Sequence, residues 1–146
     1  MKLTKYILLA LFAFGMSIHA DAKKIQAKHL YIFGFSASFQ DSLVFFTDIQ
    51  DVPGAWMDSK TKFLLGRDSY SYQLKSYFDN AGLNDRVCMV VFDTNKKKAE
   101  RKYLKMKKQY TTPLKKKRKK MKVHGTYDVQ YIPQQAFKFE VVDMSD

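Results

Sequence analysis

Two short segments of this chain are apolar at odd and even positions alike, and they restrict its architecture more than any other feature. His29–Ser36 reads His-Leu-Tyr-Ile-Phe-Gly-Phe-Ser, and Arg86–Phe92 reads Arg-Val-Cys-Met-Val-Val-Phe. Successive side chains of a strand point to opposite faces, so a strand without a polar face must be covered on both. Each segment is therefore expected to be a central strand. Leu43–Ile49, with Val44, Phe45 and Phe46, is a further strand, and Ala37–Ser42 supplies the loop of an antiparallel hairpin with the first. Tyr127, Val129 and Tyr131 alternate with polar residues up to Pro133, and Phe137, Phe139 and Val141 alternate with Lys138 and Glu140. Both patterns predict half-exposed strands at the sheet edges.

Helical spacing occurs twice. Tyr70, Leu74, Tyr77, Phe78 and Ala81 predict a helix over 70–81, opened by Asp68 or Ser69 as N-cap and closed by Gly82. Ala99, Tyr103, Met106 and Tyr110 form one stripe of a second helix, capped by Thr94 or Asn95 and ended near Pro113. Asp51-Val52-Pro53-Gly54 is a turn signal, while Trp56 to Leu65 carries no period that assigns it. The order β-β-α-β-α-β-β predicts an α+β chain with a single two-layer domain: a mixed or antiparallel sheet of about five strands with two helices on one face. That layering leaves one side of the doubly apolar strands bare, to be covered by Phe63–Leu65, a terminal segment or a partner.

The first 22 residues have the pattern of a secretory signal. Lys2 and Lys5 precede an apolar run from Tyr6 to about Ile18, and Ala20-Asp21-Ala22 offers cleavage before Lys23 or after Ala20. The run has about 13 apolar residues where a spanning helix needs about 20. Residues 23–146 are then the expected mature domain, periplasmic or secreted. Its one cysteine, Cys88, permits no internal disulfide, so an apolar core must hold the fold.

Charge is unevenly placed. Lys96–Lys122 contains fifteen Lys or Arg against one acid, Glu100, a charge of +14; the rest of the mature chain has nine bases against twelve acids, a charge of −3. Lys96, Lys97, Arg101, Lys105 and Lys108 fall on the second helix. Lys115, Lys116, Lys117, Arg118, Lys119 and Lys120 form a run without apolar periodicity, read as a solvated loop. Two readings follow. The segment either contacts a polyanion (acidic lipid headgroups, lipopolysaccharide, an acidic glycan or extracellular nucleic acid), or it keeps an aromatic-rich chain in solution.

Other chemistry is sparse. No phosphate-binding loop, dinucleotide-binding glycine pattern or nucleophile elbow is present, and no cofactor is expected. Cys88, His29 and His124 are too scattered for a structural zinc site. Cys88 with a histidine has the residue types of a nucleophile pair, but a thiol inside an apolar strand is ordinarily inert core. Asp48, Asp51 and Asp58, with Trp56 beside the Pro-Gly turn, offer carboxylates and a stacking ring for a small cell-envelope hydrolase; the plainer reading is surface acids and a partly buried tryptophan. Arg67 before the first helix suggests an anion site at its N-terminus, unless Asp68 or Ser69 already caps it.

Two stretches carry a resemblance. Tyr31–Gln50 (YIFGFSASFQDSLVFFTDIQ) and Trp56–Leu74 (WMDSKTKFLLGRDSYSYQL) are similar to small exported proteins of Bacteroidetes. The resemblance implies a Gram-negative, periplasmic or surface setting and assigns no functional residue. The expected function is non-enzymatic binding of an anionic partner through the basic segment. A subunit role in a larger envelope assembly is the alternative that the doubly apolar strands suggest.

Overall fold

The computed structural model describes residues 23–112 and 126–146. The expected leader, Pro113, Lys115–Lys120 and His124 lie outside the described residues. In chain order the elements are β1 (Lys24–Gln26), β2 (Tyr31–Ala37), β3 (Leu43–Thr47), β4 (Gln50–Asp51), β5 (Trp56–Asp58), α1 (Arg67–Asn80), β6 (Val87–Asp93), α2 (Lys96–Thr111) and β7 (Asp128–Ile132). This is the expected α+β domain with two helices and a mixed five-stranded sheet.

β2 lies inside the sheet because both of its edges are paired. One edge meets β6 antiparallel, from Tyr31 opposite Asp93 to Ala37 opposite Val87. The other meets β3 antiparallel, Phe35 opposite Phe46, and further along β4, Tyr31 opposite Asp51. β7 lies parallel to β3 on its far side, Val44 opposite Val129. β1 and β5 form a separate antiparallel ribbon, Ile25 opposite Met57, which gives the unassigned Trp56 region its structure.

The alternating side chains of β2 sort the core into two clusters. Ile32 joins Val90, Tyr70, Leu74 and Phe78, with Phe139 and the ribbon residues Ala27, Met57 and Leu64. Phe33 and Phe35 join Val44 and Phe46, against Tyr103, Met106 and Tyr110. α1 and α2 therefore cover opposite faces of the sheet, a correction to the expectation that both lie on one face. The second face, for which the sequence suggested Phe63–Leu65, a terminal segment or a partner, is filled by α2; Phe63 is exposed and Leu64 packs on the α1 side. At Gly34 the α1 face is so tight that an added Cβ would lie 2.5 Å from Leu74 Cδ2.

Three further expectations change. The strand from Arg86 to Phe92 is not central: among the described residues β6 pairs only with β2. Its two apolar faces reflect a helix above and a helix below, while its outer edge is open in the plane of the sheet. The Phe137–Val141 strand does not form. Phe137 and Phe139 turn inward and Lys138 and Glu140 outward, but Val141 is exposed and Val142 packs instead. Side chains take the place of a neighbouring strand here. Gln50, buried in β4, donates to the Phe137 carbonyl at 2.8 Å and accepts from Phe139 N at 2.8 Å. Gln73 does the same for Glu140, and the Tyr70 hydroxyl accepts from Val142 N at 3.1 Å. Finally, α1 begins at Arg67 rather than Tyr70, with Gly66 at its N-cap and no side-chain cap from Asp68 or Ser69. Gly66 has φ +69, and a Cβ there would lie 2.9 Å from Val142 Cγ1, so close packing against the C-terminal segment sets this boundary.

Candidate functional site

α2 positions the basic residues. Asn95 caps the helix, its side chain accepting from Lys98 N at 3.1 Å, and Ala99, Tyr103, Met106 and Tyr110 face the sheet. With 3.6 residues per turn, that stripe leaves Lys97, Arg101, Lys105 and Lys108 on the outer side. Those four and Lys96 are exposed. Among the described residues none of the five makes an ion pair: the pairs present are His29–Asp51, Lys75–Asp79, Arg86–Asp41 and Lys102–Asp93. The helix carries eight bases and Glu100, a charge of +7.

This charge opposes the stability of the helix that bears it. Lys96, Lys97 and Lys98 occupy the first turn, where backbone N–H groups already present partial positive charge, and no acid accompanies them. Lys97 with Arg101, and Arg101 with Lys105, are like charges four residues apart. Lys102 and Lys107 differ from the outer group. Lys102 Nζ lies 3.0 Å from Asp93 and donates to the Phe92 carbonyl at 2.9 Å. Lys107 Nζ lies 4.9 Å from the centre of the Tyr131 ring.

Arg67, the expected anion contact at the start of α1, is engaged within the fold. Its Nη2 donates to the Val90 carbonyl at 3.0 Å, and the guanidinium lies 5.8 Å from the Phe92 ring centre. Val90 and Phe92 have the same parity in β6, and Arg67 and Lys102 occupy their carbonyls. Two cations thus cap the open edge of β6, a position where an unpaired strand invites association.

Each of the three candidate carboxylates has hydrogen-bond partners of its own. Asp48 accepts from Gln134 N at 3.0 Å. Asp51 accepts from Leu30 N at 3.2 Å and lies 2.7 Å from His29 Nδ1, clasping the start of β2 to β4. Asp58 closes its own turn by accepting from Lys60 N and Thr61 N, and the Thr61 bond leads the causes that hold its carboxyl below the usual range. Trp56 is half-buried in the ribbon. His29 stacks on Tyr31 and lines a shallow open cavity of about 260 Å³ with Lys28, Lys62 and Thr94 over Ala27 and Met57. Cys88 lies 3.5 Å from Ser36 Oγ, and burial pushes its thiol up, away from nucleophilic character. Among the described residues no three His, Cys, Asp or Glu side chains are grouped to hold a metal ion.

Arg86 is the polar centre that the sequence reading missed. It is only 4 % exposed; it donates to Ser36 Oγ, the Asp41 carboxylate and the Leu43 carbonyl, and lies 4.8 Å from the Phe45 ring centre. It ties the β2–β3 loop to β6, a structural duty. The signal for it was an arginine opening a run of six apolar residues.

Comparison of the chain with protein-family models, with curated proteins and with solved structures finds no match.

Proposed function

We propose that this is an exported, non-enzymatic binding protein. Its α2 surface and the following Lys115–Lys120 run hold an anionic partner of the cell envelope or its surroundings: acidic lipid headgroups, lipopolysaccharide or an acidic glycan. Export rests on the signal-like first 22 residues. The observation that carries the binding role is the cationic first turn of α2. Lysines there weaken the helix, and acids at the same positions would solubilise the chain equally well while favouring the dipole. Retaining positive charge at a cost to the fold points to a ligand. Close to an anionic surface each Lys or Arg contributes about 1 kcal/mol, enough in sum for reversible association.

The test separates binding from stability. Lys97→Glu is expected to raise the stability of the fold by about 0.3–1 kcal/mol in urea unfolding. The same change should weaken binding to acidic vesicles or lipopolysaccharide. Replacing Lys115–Lys120 by glutamine or serine should largely abolish that binding, which should also fall steeply with salt. Binding that ignores salt, or no binding to any polyanion, would overturn the proposal.

A further inference from the structure

Beside the outer cations of α2 runs a second feature that charge alone does not explain. Tyr127, Val129 and Tyr131 all point to the α2 side of β7: Tyr131 is in register with Phe46, Val129 with Val44, and the Tyr127 ring packs 5.0 Å from Tyr110. Tyr127 is 37 % exposed and Tyr131 46 %. Four residues of strand set the two rings about 13 Å apart. Among the described residues β7 pairs only with β3, so the tyrosines border an open edge. The flank of α2 facing them carries Lys96, Glu100 and Lys107, a net charge of +1, and Lys107 lies over Tyr131.

Resting on the proposed anionic-partner reading, we infer that the α2–β7 seam binds a linear acidic polysaccharide, with Tyr127 and Tyr131 stacking on sugar rings and Lys107 meeting a carboxylate. A lipid surface needs dense charge and approaches the outer side of α2, where these rings do not lie. The Tyr131 ring is 46 % exposed and the Lys107 ammonium lies 4.9 Å from its centre, so one ligand can meet ring and cation together. The C–H face of a pyranose packs on the exposed part of such an amphipathic ring, and an anionic substituent on that sugar satisfies the cation beside it. Two rings with a gap between them call for an extended chain of several sugars, not a monosaccharide.

The probes are linear polygalacturonate, a neutral glucan of similar length, single-stranded DNA and acidic phospholipid vesicles, each titrated against residues 23–146. Polygalacturonate is expected to bind and the neutral glucan not. The pair Tyr127→Ala and Tyr131→Ala should weaken polygalacturonate binding about tenfold while leaving vesicle binding unchanged. Tyr131→Phe, which keeps the ring, should bind as the parent does. In the unsubstituted protein, polygalacturonate should protect Tyr127 and Tyr131 from nitration but not Tyr72, which is exposed on α1. Parent-like binding by the double variant, absence of protection, or binding of DNA or vesicles but not polygalacturonate would overturn the glycan inference and leave the broader anionic reading standing. No binding to any polyanion would overturn both.

Discussion

The two faces of the sheet are sealed by different means. On the α1 face the cover is composite: α1, the β1–β5 ribbon and the C-terminal segment meet over Ile32, Gly34 and Val90. Side-chain amides of Gln50 and Gln73 serve the backbone there as a strand would. On the α2 face, among the described residues, one helix lies over an aromatic floor of Phe33, Phe35 and Phe46, with tyrosines around it. The element that closes this face also displays the chain's cations. Cover and charge being one helix, a ligand on the outside of α2 should stabilise the packing beneath it, whereas the α1 face has no such link.

Core truncation is the most forceful way to break this comparison. Phe78→Ala on the α1 face and Phe46→Ala on the α2 face should each lower stability by about 3–5 kcal/mol. Urea unfolding followed by circular dichroism and by Trp56 fluorescence should give coincident transitions for the parent and for Phe78→Ala. If the two faces depend unequally on single elements, Phe46→Ala is the variant whose helical signal is lost first, as α2 detaches ahead of the ribbon. Coincidence in both variants would show that the single-helix cover is as cooperative as the composite one.

A smaller change sharpens the difference from the other side. Gln50→Ala leaves the Phe137 carbonyl and Phe139 N without partners on the α1 face, at a cost of about 1–3 kcal/mol. Proteolysis should then cut first in the segment after Pro133, with α2 intact. Equal protection of that segment in parent and variant would mean that Phe137 and Phe139 packing alone holds it.

How far these features were legible follows from the kind of signal each one leaves. The β2–β3 hairpin, the α2 stripe and the edge position of β7 are periodicities, and each lies within a residue or two of its expected place. Double-faced apolarity in Arg86–Phe92 correctly demanded cover on two sides, but it reports the layers above and below a strand, not its neighbours in the sheet; β6 therefore read as central while lying at an edge. The Phe137–Phe139 alternation was equally real, yet a segment can alternate without a partner strand when glutamine side chains supply the hydrogen bonds. No period marks Gln50, Gln73 or Arg86 for these roles, since their partners lie 40 or more residues away in sequence. Of the candidate surface, the cations are plain in the sequence and the tyrosines beside them read only as strand residues, because the meeting of Tyr131 with Lys107 and of Tyr127 with Tyr110 depends on β7 joining β3 in parallel.

Alkaline pH gives the mildest probe, and it again distinguishes the faces. Burial, reinforced by Tyr131 and Asp48, pushes the Tyr103 phenol up from 10.0 to about 12, and burial also raises Tyr110 beside it. The fold thus favours the protonated phenol, and as pH rises the unfolded chain loses that proton first. The stabilisation is complete below pH 10.0 and is lost as pH climbs to about 12. Tyr70 on the α1 face is raised in the same direction by burial, opposed by its hydrogen bond to Val142 N. Tyr103→Phe should therefore flatten part of the alkaline decline with little change at pH 7, where the phenol is protonated in both the folded and the unfolded chain. Tyr70→Phe should lower stability at pH 7 as well, by about 1 kcal/mol, because Val142 N is left unpaired. Urea midpoints at pH 7, 9 and 11 for the two variants and the parent decide it: parallel curves for parent and Tyr103→Phe would show that the α2 face lets its tyrosines ionise freely, and that its cover is looser than the packing of Tyr103 against Phe33 and Phe46 implies.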